Sequence, residues 1–157
     1  MFLFKKNTEL CGMNALQLLE TQHLKRTQVR TNVLDLFLSK PHALSQPDVE
    51  IALAKQFDRI TVYRTLRTFE EKGLIHKVID LQGTTRFALC SQECHDDDSH
   101  AHHDAHIHFH CTICEQVYCG SQPPDLKITM PPGFEMHDFQ VQVTGICKFC
   151  RVMSYEL

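Results

Sequence analysis

The sequence predicts an α+β fold in two parts: a helical N-terminal half that closes with a β-hairpin, and a small C-terminal α/β half stapled by cysteines. Three observations carry this. Apolar residues follow a helical rhythm through residues 24–72 and change to period two after Gly73. Seven of the eight cysteines lie at or beyond position 90, and seven of the eleven histidines lie between His95 and His110. Charge divides at the same place: residues 1–89 carry 13 basic and 9 acidic side chains, a surplus of +4, whereas residues 90–157 carry 3 and 10, a balance of −7. A length of 157 residues accommodates one ordinary domain or two small ones. The composition shift predicts boundaries at 1–89, a hinge at 90–105 and a second unit at 106–157. The hinge contains Ser91-Gln-Glu-Cys-His-Asp-Asp-Asp-Ser-His-Ala-His-His-Asp-Ala105, which has almost nothing to build a core from.

In the front half, Leu24, Val29, Val33, Leu34, Leu36, Phe37 and Leu38 mark a first helix, stopped by Ser39-Lys-Pro41. Ser45-Gln-Pro-Asp48 reads as a capping box with proline just inside a second helix, whose apolar stripe is Val49, Ala52, Leu53 and Phe57. A third helix is predicted from about Ile60 to Lys72, closed by Gly73, with Val62, Leu66 and Phe69 buried. Leu74-Ile-His-Lys-Val-Ile79, the turn Leu81-Gln-Gly-Thr-Thr85 and Arg86-Phe-Ala-Leu89 then form a hairpin. Helices followed by a hairpin describe a winged helix-turn-helix, in which the last helix before the wing enters a DNA major groove.

The opposite face of that third helix offers Thr61, Arg64, Thr65 and Thr68, flanked by Tyr63 and Arg67. Arg64 and Arg67 are suited to guanine edges or phosphates, and Tyr63 to a thymine methyl and a phosphate. Lys25, Arg26 and Arg30, at the start of the first helix, add phosphate-seeking charge. Taken alone, the same face is also what a solvated helix surface looks like. Double-stranded DNA is nevertheless the partner predicted for Lys25, Arg30, Thr61, Tyr63, Arg64 and Arg67.

Several classes are excluded. No apolar run approaches the ~18 residues of a membrane span. Met1-Phe-Leu-Phe-Lys-Lys6 places its apolar residues before its charges, unlike a secretory leader, so the expected compartment is the cytoplasm, with no membrane partner. There thiols stay reduced, and eight cysteines read as metal ligands before disulfides. Neither His-Glu-x-x-His nor His-x-Glu with Pro-Cys-x-x-Cys occurs, so no hydrolase or deaminase and no small organic substrate is predicted.

Cys111-Thr-Ile-Cys114 and Cys147-Lys-Phe-Cys150 form the strongest motif. Two pairs at this spacing supply the four thiolates of a closed, tetrahedral structural zinc site with no position left for a reactive water. A second site is predicted from His106-Ile-His108, whose imidazoles share one face of a strand, together with His76 and Cys90 from the wing. Such a set would tie the front half to the back. Taken singly, His76 is also an ordinary strand residue, and His106 and His108 also read as part of a loose chelating tract. Cys94, His100, His102, His103, Asp104, His110, Cys119 and His137 are further candidate ligands. Imidazole and thiolate suit zinc, with ferrous iron or another divalent ion as alternatives.

Thr61-Val-Tyr-Arg64, Gly73-Leu-Ile-His-Lys-Val78, His106-x-His108 and the two Cys-x-x-Cys pairs, in this order, resemble the ferric uptake regulator superfamily over roughly residues 20–150. The resemblance implies a homodimeric, metal-dependent transcriptional repressor of metal-uptake genes, with an N-terminal winged-helix domain and a C-terminal α/β dimerisation domain. Gly73-Leu-Ile-His76-Lys-Val and Leu89-Cys90 are most similar to the zinc uptake regulator branch, where His76, Cys90 and histidines of the following segment match regulatory zinc ligands; Cys119 falls where relatives carry another ligand. The chain departs from the family pattern at three places. Ala88 stands where the iron-sensing branch has a carboxylate. The Pro-rich segment Gln122–Gly133 replaces an expected dimerisation helix, leaving strands for the dimer interface. His137 does not align with the histidine near the family's final strand. The alternatives are an iron- or peroxide-responsive regulator of this family and, from another class, a His-rich metal chaperone or storage protein.

Overall fold

The structure, a computed structural model, describes residues 13–90, 106–120, 125–137 and 139–153. Most of the predicted hinge, with Cys94, His100, His102, His103 and Asp104, lies outside the described residues. The chain begins with α1 (Ala15–Thr21), which the sequence reading did not include. Asn14 and Gln17 cap it reciprocally: the Gln17 amide N–H donates to Asn14 Oδ1 at 3.0 Å and the Asn14 N–H donates to Gln17 Oε1 at 2.8 Å. The helix stops at His23, in left-handed conformation at φ +52°, with the Leu24 N–H bonded back to the Leu19 carbonyl at 2.8 Å. A histidine in that position gives no glycine signal, which is why the stop is silent in the sequence. The predicted start at Leu24 is therefore corrected: α2 runs Gln28–Ser39, capped by Thr27, and Lys25 and Arg26 lie in the turn before it.

After β1 (Leu44–Ser45), α3 (Gln46–Ala52) starts on the predicted box, with the Ser45 hydroxyl accepting from the Asp48 N–H. Ala52 and Ile51 face solvent; Val49 and Leu53 turn inward. Helix α4 (Arg59–Glu71) is capped by Asp58 and closed at Gly73, φ +66°, where the Gly73 and Leu74 N–H groups reach the Glu70 and Phe69 carbonyls at 2.9 and 2.8 Å. Its predicted buried residues Val62, Leu66 and Phe69 are all inside. Thr65, placed on the outer face by the sequence, is buried as well; its hydroxyl is spent on the Thr61 carbonyl at 2.8 Å, which lets a threonine take a core position.

Strands β2 (Ile75–Ile79) and β3 (Thr85–Leu89) form the hairpin, and β1 adds to β3, giving the antiparallel order β1-β3-β2. Asp80 holds the turn. One of its oxygens accepts the N–H groups of Gln82 and Thr84 at 3.0 and 2.8 Å; the other accepts Arg86 Nε at 2.9 Å. Arg86 also lies 3.4 Å from Asp48 of α3, tying the hairpin to the helices.

In the back half, β4 (Ile107–Cys111) pairs antiparallel with β5 (Val117–Cys119) and parallel with β6 (Val141–Gly145), in the order β5-β4-β6. A short α5 (Lys148–Met153), absent from the sequence reading, follows. Residues 125–137 form no helix, as their prolines predict. The halves meet along a seam: the Ala43 N–H donates to the Val117 carbonyl at 2.8 Å, Gln142 Nε2 donates to the Ile79 carbonyl at 2.7 Å, and Ala43, Val78, Ala88 and Val117 make a small apolar cluster.

The front half has a conventional core around Leu19, Leu34, Val49, Leu66 and Phe69. Phe69→Ala is expected to cost about 3–5 kcal/mol, read from urea unfolding. Burial acts to raise the Asp80 pKa, but Arg86 and the two turn N–H groups outweigh it and hold the carboxyl below its usual value. A depressed carboxylate contributes stability that is complete above the unfolded value of about 3.9 and is lost as pH falls through the native one. Asp80→Asn is therefore expected to lose roughly 1.5–3 kcal/mol at pH 7 and progressively less as pH falls below about 3.9, read from urea midpoints across that range.

Candidate metal centres

Two clusters of ligand atoms are assembled, each with all four atoms within 4.8 Å of one another. The first is Cys111, Cys114, Cys147 and Cys150. Parallel pairing of β4 with β6 sets Cys111 opposite Gly145, so the two Cys-x-x-Cys turns leave the sheet side by side. A side chain at 145 would press on the Phe109 ring at 3.1 Å, so the close approach needs glycine there. Glu115, left-handed at φ +57°, folds the first turn back so that its N–H meets the Cys111 carbonyl at 3.0 Å. The Cys147 N–H points at Cys111 Sγ (3.3 Å), and the Cys150 N–H at Cys147 Sγ (3.5 Å). Burial acts to raise the Cys111 thiol, but N–H groups from Cys114, Cys147 and Ile113 hold it down to about 6; Cys150 is pushed up to about 12, by burial first and its neighbouring thiols second. Cys114 Sγ and Cys147 Sγ are 3.9 Å apart. With Zn–S bonds of ~2.3 Å, the edge of a tetrahedron is about 3.8 Å, so this pair stands at the separation a four-thiolate zinc site needs.

The second cluster is His76, His106, His108 and Cys119. Strand alternation puts His106 and His108 on one face of β4; the antiparallel register sets Cys119 directly across from His108; His76 reaches in from β2 across the seam. His106 Nε2 lies 3.1 Å from His76 Nε2, and Cys119 Sγ 3.5 Å from the same nitrogen. The corresponding edges around a tetrahedral zinc ion are about 3.3 and 3.6 Å. Both ring nitrogens of His108 are buried without a hydrogen-bond partner in a residue only 1% exposed. Burial, with a lesser contribution from His106, depresses its pKa to about 4; burial also lowers that of His106. The lowered values keep His106 and His108 neutral at pH 7, the form that ligates a cation. An orphaned buried donor atom surrounded by ligands of the right kind fits a divalent ion.

Of the predicted set His76, Cys90, His106 and His108, three residues converge and Cys119 takes the fourth place. Cys90 is buried beside the other nitrogen of His76, with Sγ 3.5 Å from Nδ1. Cys119, which the family resemblance marks as a further ligand, is brought to this place by the β4–β5 register, across from His108. His110 follows on the same face, buried but outside both clusters, and His137 is exposed.

On α4, Tyr63, Arg64 and Arg67 are exposed along one face, with Thr61 half-buried at its start. The Arg67 guanidinium rests on Glu71 at 2.8 Å, an exposed pair that is cheap to break. Arg30 donates to the Lys25 carbonyl at 3.0 Å, holding the turn that presents Lys25.

A helical, basic half joined through a histidine–cysteine seam to a thiolate-stapled half describes a metal-binding regulator rather than an enzyme. The chain belongs to the ferric uptake regulator family, whose profile matches residues 21–143. Membership makes it a metal-responsive regulator and does not favour the storage reading. The chain is 28% identical over 143 residues to the ferric uptake regulation protein of Staphylococcus epidermidis, covering 88% of this chain and 94% of the relative. In fold it resembles a zinc uptake regulator complexed with zinc and DNA (TM-score 0.60, 21% identity, 96% of this chain and 99% of the other). It also resembles the ferric uptake regulator of Pseudomonas aeruginosa with manganese (TM-score 0.55, 24% identity, 87% and 99%). Among the described residues no helix is long and apolar enough to cross a membrane.

Cobalt titration of the metal-free protein is expected to fill two sites per chain. His108→Ala should weaken one of them by more than the ~10–100-fold that loss of an outer-sphere partner brings and leave the far-UV spectrum unchanged. Cys114→Ser should lose the other, with the back half unfolding.

Proposed function

We propose that this chain is a zinc-responsive repressor that binds a palindromic DNA operator as a homodimer and controls metal-uptake genes. The observation that carries the reading is the donor set of the seam: three imidazoles and one thiolate, with no carboxylate. Borderline-soft donors in a tetrahedral array favour zinc over manganese or magnesium, and disfavour ferrous iron, which takes harder and more numerous ligands. Cys111, Cys114, Cys147 and Cys150 form a permanently filled structural site. His76, His106, His108 and Cys119 form the sensing site, with Cys90 holding His76 from its Nδ1 side.

Zinc in the sensing site supplies bonds that tie β2 of the front half to β4 and β5 of the back half. The residues do the rest. Residues 1–89 act as a winged-helix DNA-binding domain, 90–105 as the hinge and 106–157 as the dimerisation domain. With the seam closed, the two α4 helices of a dimer are held at a separation near one DNA turn, ~34 Å. Tyr63, Arg64 and Arg67 read base edges, Thr61 lets the backbone approach, and Lys25 and Arg30 take phosphates. The coupling is reciprocal: operator DNA tightens zinc as much as zinc tightens DNA. The homodimer is supported by the back half's exposed apolar side chains, among them Leu126, Ile128, Phe134 and Val143, which a second copy would cover.

The test is selection of duplexes from a random pool by the zinc-loaded protein, followed by affinity measurements with zinc, manganese and ferrous iron. A pseudo-palindrome bound at nanomolar affinity only with zinc is expected. Arg64→Ala should cost about 1–3 kcal/mol and relax sequence preference, whereas Lys25→Ala should weaken all sequences alike and reduce the salt slope by about one. Equal binding with manganese or iron would move the chain to another branch of the family. Binding indifferent to metal would overturn the proposal.

A further inference from the structure

Strand β5 has two faces. Val117 and Cys119 turn to the seam, and Tyr118 turns the other way, toward the four cysteines. Its hydroxyl lies 3.6 Å from Cys147 Sγ and 3.9 Å from Cys114 Sγ, one sulfur from each Cys-x-x-Cys pair. The ring is fixed from two sides: His42, at the end of the α2–β1 connection, meets it edge-on with centroids 6.1 Å apart, and Phe149 of α5 lies at 6.2 Å. A phenol carries its proton at neutral pH and can donate it.

We propose that Tyr118 is a positioning residue of the four-cysteine site, its hydroxyl donating a shared hydrogen bond to the sulfurs of Cys114 and Cys147 and so slowing metal loss and sulfur oxidation. This rests on the reading of those cysteines as a zinc site. With a divalent ion bound, both sulfurs are thiolates and carry no proton, so the hydroxyl is the donor to each. Four thiolates around a dication leave a net charge of −2 on a group that is only partly buried. A donor placed over two of them draws electron density off the sulfurs, lowering their reactivity toward protons and oxidants. Backbone N–H groups already serve Cys111 and Cys147. Tyr118 is the side-chain donor that reaches Cys114.

The test uses the full chain: wild type, Tyr118→Phe and His42→Ala, the last removing ring packing but not the hydroxyl. With cobalt in the four-cysteine site, Tyr118→Phe should shift the sulfur-to-metal charge-transfer band to lower energy. With zinc, it should release the ion to a chromogenic chelator about tenfold faster, and faster again under hydrogen peroxide. His42→Ala should leave the band in place. An unchanged band and release rate in Tyr118→Phe would overturn the inference, and so would equal effects from His42→Ala, because packing alone would then explain them. A wild-type protein with no tightly held ion at these thiols would overturn the underlying site reading, a result distinct from an unaltered variant.

Discussion

An imidazole buried with neither nitrogen hydrogen-bonded is unfavourable by the desolvation of two polar atoms, on the order of 1–3 kcal/mol each. His108 stands in that position at the seam between the two sheets. No protein group near it satisfies either nitrogen, whereas His76, His106 and Cys119 face the same point with lone pairs of their own. A cation at that point would take one nitrogen of His108 together with the other three ligands. In the proposed function an ion at this point closes the seam, and the orientation of the DNA-reading half follows from it.

The back half poses the same problem on a larger scale. Its buried residues among those described are His108, His110, Cys111, Val117 and Cys147, with one aliphatic side chain among them. Hydrophobic burial contributes little here, and in the proposed reading metal–thiolate bonds take the place of a core. The division of labour between the two clusters follows from their positions. The four cysteines join elements within the back half, so an ion held there would stabilise that half's fold. The histidine–cysteine set brings together residues of both halves, so in the proposed function its ion sets their relative orientation. β5 belongs to both clusters, with Cys119 on one face and Tyr118 on the other.

Local signals decided the front half. The Ser45–Asp48 box, the glycine stop at Gly73 and the change to period two after it are short-range physics, so α3, α4 and the hairpin were legible. α1 was missed because it is only about two turns long, capped by Asn14 and ended by a left-handed histidine rather than glycine. Thr65 was misplaced because its self-satisfied hydroxyl disguises a core residue. The two Cys-x-x-Cys pairs were legible because chelation needs only local spacing, and the exposed Tyr63, Arg64 and Arg67 because helical periodicity assigns their face.

The amino-acid sequence alone determined which chemistry the chain carries: four thiolates in two pairs, imidazoles on one strand face, a basic helix before a wing, and membership of a metal-responsive family. The tertiary structure decided which donors meet. Strand register placed Cys119 opposite His108, and the seam turned one nitrogen of His76 to the cluster and the other to Cys90. Those choices are made by strand pairing and by contacts across the seam, and spacing along a chain carries no information about register across a sheet.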